Sequence, residues 1–208
     1  MSALTVGAVG LVLGAIAGAG IRLLLAALRR GAVLRAGPIE AGAAAITATG
    51  AAISWGSPLL AVVVWIGLFG VALGAVDLAH HRLPDALTFP GIVATAGVLA
   101  ITHWSTPAAG SLTRAAIAGV VWAGSFAVIA AVTPANMGWG DVKLVLSLGA
   151  ATGYLSAATA LLAVCAAFVL AALVAIVGIG LRNWTPRSAI AFGPFLLIGS
   201  WLALLVGT

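Results

Sequence analysis

Asp77 and Asp141 are the residues of this chain whose type and placement could do chemistry. The chain has only four acids among 208 residues, so each can be weighed singly. Asp77 follows a long apolar run and is expected to close it, at a helix C-terminus, where the helix dipole disfavours negative charge. Asp141 follows Gly138-Trp139-Gly140 and is expected to begin the next apolar run, where an N-cap role is open to it. Both are expected at helix ends on one side of a membrane, at the same depth, and no other two carboxylates pair that way. Acids at membrane depth are functional candidates by default. Two carboxylates meeting in a partly dry site cannot both ionise comfortably, so they share a proton. One would then act as base toward a water molecule, while the protonated partner polarises a scissile carbonyl and later donates to the leaving amine. That chemistry is peptide hydrolysis, and it requires no metal, cofactor or nucleophilic side chain. Gly138 and Gly140 would let the chain turn tightly beside Asp141 and let another backbone approach.

The remaining polar residues have local readings. Glu40 opens an apolar segment, where a carboxylate favours the helix N-terminus. Asp85 follows Pro84 at an N-cap position, with support of an active site as the alternative. Lys143 reads as an anchor at a helix start, or as a group that holds Asp141 charged or orients a substrate. Residues two apart on a helix do not face each other, so its pairing with Asp141 is left open. His80 and His81 read as a solvated loop, the alternative being a metal site with Asp77 and Asp85. Arg114 reads as a snorkelling interfacial residue. Gly10, Gly14 and Gly18 have the spacing of a close helix contact, within the chain or between chains.

The elements that must position these residues follow from composition. The chain is 63% hydrophobic and 6% charged, with a mean hydropathy of +1.27. A soluble domain carries roughly a quarter of its residues as charges, so a normal wet surface is excluded, and with it a Rossmann or P-loop module. Cys165 is the only cysteine, which excludes a disulfide framework or a cysteine-based zinc site. The bases are scattered, whereas nucleic-acid binding needs clustered cations, so no nucleic-acid partner is expected. The first charge is Arg22, so the basic leader of a cleavable signal peptide is not expected.

The fold class is therefore an all-α, polytopic transmembrane bundle of about eight spans, one domain over residues 1–208. The spans are expected near Leu4–Ala27, Ala41–Ser54, Pro58–Val76, Ala86–Ile101, Thr113–Val132, two within Val142–Leu181, and Ile190–Val206. The second, rich in Ala, Gly and Thr, is the weakest. Val142–Leu181 is too long for one crossing of a core of about 30 Å and must fold back, near Gly153-Tyr154-Leu155-Ser156. With the loops after the odd-numbered spans in the cytoplasm, every Lys and Arg except Arg114 falls on that side, as the positive-inside rule requires. Both termini are then outside, with Trp55 and Trp104 near outer boundaries and Trp139 and Trp184 near inner ones.

Three segments, in order, resemble the type IV prepilin peptidase family, the bacterial members of the GxGD membrane aspartic proteases. Val76-Asp77-Leu78-Ala79-His80-His81-Arg82-Leu83-Pro84-Asp85-Ala86-Leu87-Thr88-Phe89-Pro90 resembles its first-aspartate loop. Asn136-Met137-Gly138-Trp139-Gly140-Asp141-Val142-Lys143-Leu144 resembles its Gly-x-Gly-Asp-x-Lys-Leu segment, with Gly149-Ala150 and Gly153 following. Ala191-Phe192-Gly193-Pro194-Phe195 resembles its late Phe-Gly-Pro motif. The resemblance covers roughly residues 58–208. It implies that Asp77 and Asp141 are a catalytic pair, supported by Asp85, Gly138, Gly140 and Lys143, with no cofactor and no metal. It further implies a multi-pass protein of the bacterial cytoplasmic membrane that cuts the short basic leader from prepilin or pseudopilin-like proteins at the cytoplasmic face. Many members insert a cytoplasmic domain with paired cysteines after the first span and also N-methylate the new N-terminus. Here about a dozen residues join the first two spans and none is cysteine, so the peptidase activity is carried over and the methyltransferase is not.

Two other readings use the same acids. A small proton-coupled transporter would carry protons on them, but a relay wants groups at the midplane. An intramembrane protease of the presenilin type shares Gly-x-Gly-Asp, yet its first aspartate follows a tyrosine, and Asp77 follows Val76.

Overall fold

The computed structural model of the chain describes residues 2–28, 34–80, 83–133, 138–181 and 192–208, whose regular secondary structure is entirely helical. The helices in chain order are α1 (Ala3–Ala27), α2 (Pro38–Ile53), α3 (Leu60–His80), α4 (Asp85–Ser105), α5 (Leu112–Val132), α6 (Trp139–Leu155), α7 (Ala157–Gly180) and α8 (Gly193–Val206), with a short 3-10 turn at Pro107–Ala109. Five stretches are long and apolar enough to cross a membrane: Leu4–Ala27, Leu60–His80, Asp85–Ser105, Pro107–Val132 and Ala157–Gly180. The described residues are thus all-helical, consistent with the membrane bundle read from composition, with one helix for each expected apolar segment. Three helices fall below the length of a full span: α2, α6 and α8 have 16, 17 and 14 residues, where a core of about 30 Å takes about 20. Outward-facing side chains are apolar, with Val93 72% and Ile176 67% exposed, a surface suited to lipid and not to water.

Between lipid-facing helices there is little hydrophobic driving force, so close approach of backbones has to hold the bundle together. The chain supplies it in three sequential pairs. Gly10, Gly14 and Gly18 of α1 lie against α2, where an added methyl would stand 2.8 Å from the Ala48 Cα, 2.7 Å from the Ala44 Cα and 2.7 Å from the Glu40 Cα. The small-residue spacing is therefore used within the chain. Gly149 of α6 approaches the Gly119 Cα of α5 in the same way, and Gly199 of α8 approaches the Ala167 backbone of α7. The α1–α2 pair carries an ion pair as well: Arg22 Nε donates to Glu40 Oε1 at 2.6 Å. The other Glu40 oxygen accepts the Gly37 N–H at 2.8 Å, so this acid does cap the start of α2 as its position implies.

The helix α3 runs through the middle, packed on α1, α2, α4, α6 and α8. Val62, Val63, Ile66 and Leu73 of α3, Leu144 and Leu148 of α6, and Leu196 and Leu204 of α8 form one continuous core. The long apolar stretch after Asp141 folds back where its length required. The helix α6 ends at Leu155, and the Ser156 hydroxyl accepts the Thr159 N–H at 2.9 Å to start α7.

Three expectations are corrected. Asp77 does not close its helix, because Leu78, Ala79 and His80 continue α3; neither Gly nor Pro interrupts before Pro84. Asp85 is not an N-cap: Pro84, extended at φ −72° and ψ 137°, holds that place, and Asp85 is the first helical residue. Asp141 likewise lies inside the first turn of α6, behind the N-cap Gly138. Trp104 and Trp139, 79% and 60% exposed, sit at a helix end and a helix start, as belt residues do. Trp184 lies outside the described residues.

Arg114 is also corrected. Its guanidinium does not snorkel but turns to the end of α6. Nε donates to the Gly153 carbonyl at 2.9 Å, and Nη2 donates to the Tyr154 and Leu155 carbonyls at 2.8 and 2.6 Å. These are carbonyls that a helix terminus leaves without intrahelical partners, and a planar fork suits them better than a point charge. Arg114→Met should therefore destabilise the folded protein by about 2 kcal/mol or more, with Arg114→Lys losing less, measured as thermal unfolding in lipid nanodiscs. An unchanged midpoint for Arg114→Met would mean that solvent caps α6 equally well.

Candidate active site

The last turn of α3, the first turn of α6 and the start of α8 meet at one point. Asp77 is carried by α3 and is buried, 5% exposed. Asp141 is the third residue of α6, half-buried, and its N–H donates to the Gly138 carbonyl at 3.1 Å. The measure of their approach is Gly193, the first residue of α8. A methyl group placed there would stand 2.6 Å from Asp77 Oδ2 and 3.6 Å from Asp141 Oδ1. Both carboxylates therefore face the same small space, and that space exists because residue 193 has no side chain.

The local sequence around Gly193 explains how it is held there. Phe192 packs its ring against Phe168 of α7 and Phe126 of α5, with centroids 5.1 and 6.3 Å away. Pro194 takes the first turn of α8, where its missing N–H costs nothing and its fixed φ suits a helix start. The Phe-Gly-Pro run thus anchors, clears and launches in three consecutive residues. Phe192, Gly193 and Pro194 were visible only as part of a motif; composition and spacing single out none of them.

The two glycines of Gly138-Trp139-Gly140 differ in use. A methyl at Gly140 would come 2.9 Å from the Leu83 Cβ, so this glycine lets α6 start directly against the segment that joins α3 to α4. At Gly138 a methyl would meet only ordinary contacts, 3.8 Å from Asp141 Oδ2 and from the Gly140 nitrogen. Neither has a positive φ, so what the structure shows of their use is the close approach at Gly140.

Lys143 turns away from Asp141 and toward α4. Its ammonium donates to Asp85 Oδ1 at 2.5 Å and lies 4.8 Å from the centre of the Phe89 ring. Asp85 is 63% exposed in this pair, so the ion pair itself adds little stability. What it does is tie the start of α4 to the first turn of α6, one helical turn from the catalytic candidates. His80 is exposed at the end of α3, and His81 lies outside the described residues. Among the described residues no group of three His, Cys, Asp or Glu converges in a way that could hold a metal ion.

The arrangement can polarise and hydrolyse. Two carboxylates at hydrogen-bonding range of a shared space can hold one proton between them and titrate as a pair. Three chain segments fix their separation, and displacement of a reacting group by about 1 Å costs about a hundredfold in rate. Gly193→Ala should therefore lower hydrolytic turnover at this pair about a hundredfold with folding retained, whereas Gly138→Ala should stay within tenfold, compared as kcat in one detergent preparation. Equal activity of the two variants would show that the space beside Gly193 is not where the acids act.

Comparison with known proteins identifies the family. Residues 64–181 match the model of the type IV leader peptidase family, a stretch that contains both Asp77 and Asp141. A prepilin leader peptidase/N-methyltransferase of Aeromonas hydrophila is 35% identical over 159 residues, which is 74% of this chain and 51% of that protein. A protein of the same description from Aeromonas salmonicida is 36% identical over 74% of this chain, and one from Pseudomonas putida 31% over 66%. The chain spans about half the length of the curated relatives it matches. No solved structure matches it. With a family match over more than half of its length, this chain belongs to the type IV leader peptidase family.

Proposed function

We propose that this protein is a membrane aspartic endopeptidase that removes the short basic leader of type IV prepilin or pseudopilin-like proteins. The observation that carries the reading is the approach of Asp77 and Asp141 to one side-chain-free position at Gly193. The curated relatives are described as prepilin leader peptidases, which supplies the substrate class.

In this mechanism the scissile peptide bond enters the space between the two carboxylates with a water molecule. The ionised member of the pair takes a proton from the water as its oxygen attacks the carbonyl carbon. The protonated member keeps its proton and gives a hydrogen bond to the carbonyl oxygen, which stabilises the charge that develops there. Collapse of the tetrahedral species breaks the C–N bond, and a proton passes from the pair to the leaving amine. The pair ends the cycle holding one proton, as it began. Asp85 and Lys143 act at a distance by fixing the start of α4 against α6, and Gly140 admits Leu83 to that contact.

The positive-inside rule puts this end of the bundle in the cytoplasm, and the reading places the enzyme in the bacterial cytoplasmic membrane with its site facing inward. The reading covers peptidase activity alone, because residues 28–37, which join α1 and α2, contain no cysteine and no room for a folded insertion. Transport by the same acids is the weaker reading. Asp77, Asp85 and Asp141 gather at one end of the bundle, away from the midplane where a proton relay would need them.

Co-expression with a prepilin that has a basic leader and a Gly before its apolar helix tests this. Cleavage after that Gly is expected, with Asp77→Asn and Asp141→Asn each reducing it at least a thousandfold while the proteins remain folded. Residual cleavage by either variant at more than a few per cent would remove the two-carboxylate mechanism. Intact substrate beside the unsubstituted, folded enzyme would remove the peptidase reading.

A further inference from the structure

Asp141 stands in the first turn of α6, and the same helix runs without a proline to Leu155, which is about 21 Å away at about 1.5 Å per residue. The two ends of α6 are held unequally. At the Leu155 end, the Arg114 guanidinium of α5 donates to the carbonyls of Gly153, Tyr154 and Leu155. The N–H of Ser111, the N-cap of α5, donates to the Tyr154 carbonyl as well, at 3.0 Å. The clamp is itself pinned, because the Arg114 N–H donates to Ser111 Oγ at 3.3 Å. The Tyr154 ring is fully buried there and meets His103 of α4 edge-on, with centroids 6.2 Å apart. At the Asp141 end, α6 has the exposed ion pair of Lys143 with Asp85, and a pair open to solvent holds weakly. Between the ends, Gly119 and Gly149 bring α5 and α6 together backbone to backbone, a methyl at Gly119 standing 2.8 Å from the Leu146 carbonyl oxygen. That contact is close, but it is not directional. Among the described residues, the hydrogen bonds that join α5 and its cap to α6 are all at the Leu155 end.

We infer that Arg114 is a positioning residue for the catalytic pair: by gripping the end of α6 it fixes where that helix stands along its own axis, and so the depth at which Asp141 meets Asp77. The inference rests on the peptidase reading of the two acids. An α-helix is stiff along its axis, because hydrogen bonds close every turn. A slip of α6 at Leu155 is therefore carried to Asp141 nearly undiminished. Asp77 would not follow, since it belongs to α3, which packs on α1, α2, α4 and α8 as well as on α6. The tolerance is small: a reacting group displaced by about 1 Å loses about a hundredfold in rate. The guanidinium suits the task because its planar fork grips several carbonyls at once, where an ammonium is a single point of charge. Arg114 lies at the opposite end of α6 from the acids and touches no substrate, so its effect passes through Asp141 alone. A helix cap with no further role would alter stability and leave the turnover of the folded enzyme as it was. An axial stop alters that turnover.

Turnover per folded enzyme tests this, with Arg22→Met as the control. That change breaks the ion pair with Glu40 and loosens α1 against α2, neither of which carries Asp77 or Asp141. The full chain in lipid nanodiscs would be assayed on a prepilin, well below the unfolding temperature of every variant. Arg114→Met should lower kcat about tenfold or more with KM within about twofold, the split expected when the acids are misplaced and substrate binding is not. Arg114→Lys keeps the charge without the fork and should lose about threefold in kcat. It is the milder change and decides the matter alone if the methionine variant does not fold. Arg22→Met should keep kcat within about twofold despite its lower stability. A second measurement needs no hydrolysis. Spin labels at Leu78→Cys and Trp139→Cys, both exposed and close in the chain to the two acids, would be placed on a Cys165→Ala background. Their separation should shift or broaden in the Arg114 variants and stay unchanged in Arg22→Met. Full kcat in the folded Arg114 variants overturns the inference. So does an equal loss of kcat in Arg22→Met, or a label separation indifferent to residue 114. Failure of the unsubstituted enzyme to cut prepilin would instead overturn the peptidase reading, while the labels still report where α6 stands.

Discussion

Two like-charged groups held in one small, partly dry space set the terms for everything around them. Asp77 and Asp141 repel when both are ionised, and nothing in their own helices would bring them together. The surrounding chain therefore has to hold them. The α6 and α8 N-termini present the positive ends of their dipoles toward the pair, and the last turn of α3 delivers Asp77 among them. The absence of a side chain at Gly193 supplies the room, and the phenylalanines around Phe192 keep that absence in place. Gly140 lets the segment beyond α3 come in behind Asp141.

The packing of the bundle makes this convergence a property of the whole protein. Backbone contact at small residues forms α1–α2, α5–α6 and α7–α8 into hairpins, the mode of association that lipid solvent favours. The two acids and the glycine between them belong to helices drawn from different places in that scheme: Asp77 to the central α3, Asp141 to α6 of the second hairpin and Gly193 to α8 of the third. No hairpin alone contains a site. The carboxylates share a space only where α6 and α8 have both closed on α3.

Much of this was legible in the amino-acid sequence, and the division has a physical basis. Apolar runs and their breaks report local hydropathy, so the helices, the reversal near Ser156 and the capping by Glu40 could be read directly. The pairing of Asp77 with Asp141 could be read because acids are few and both stand at breaks in apolar runs. What could not be read were partners chosen across the bundle. Arg114 looks interfacial by position, and only the fold brings it the end of α6. Lys143 sits two residues from Asp141, yet Asp85 on another helix takes its ammonium. Gly193 has no chemistry of its own, and its importance is a clearance that only assembled helices create. The end of α3 was misplaced because an acid in an apolar run reads as a stop, whereas burial against α6 and α8 lets the helix carry Asp77 inside its last turns.

The Arg114 clamp has a consequence for biogenesis. Its acceptors lie up to 41 residues later in the chain. At the usual rate of synthesis, about 5–20 residues per second, the guanidinium is made several seconds before the last carbonyl it will bind. During that interval the cation stands in the first turn of α5, near enough to a helix end to reach the water interface. The carbonyls of α6 replace that water once they have been made. The span of chain between Arg114 and Leu155 thus fixes an order, with the fork present before the carbonyls it grips.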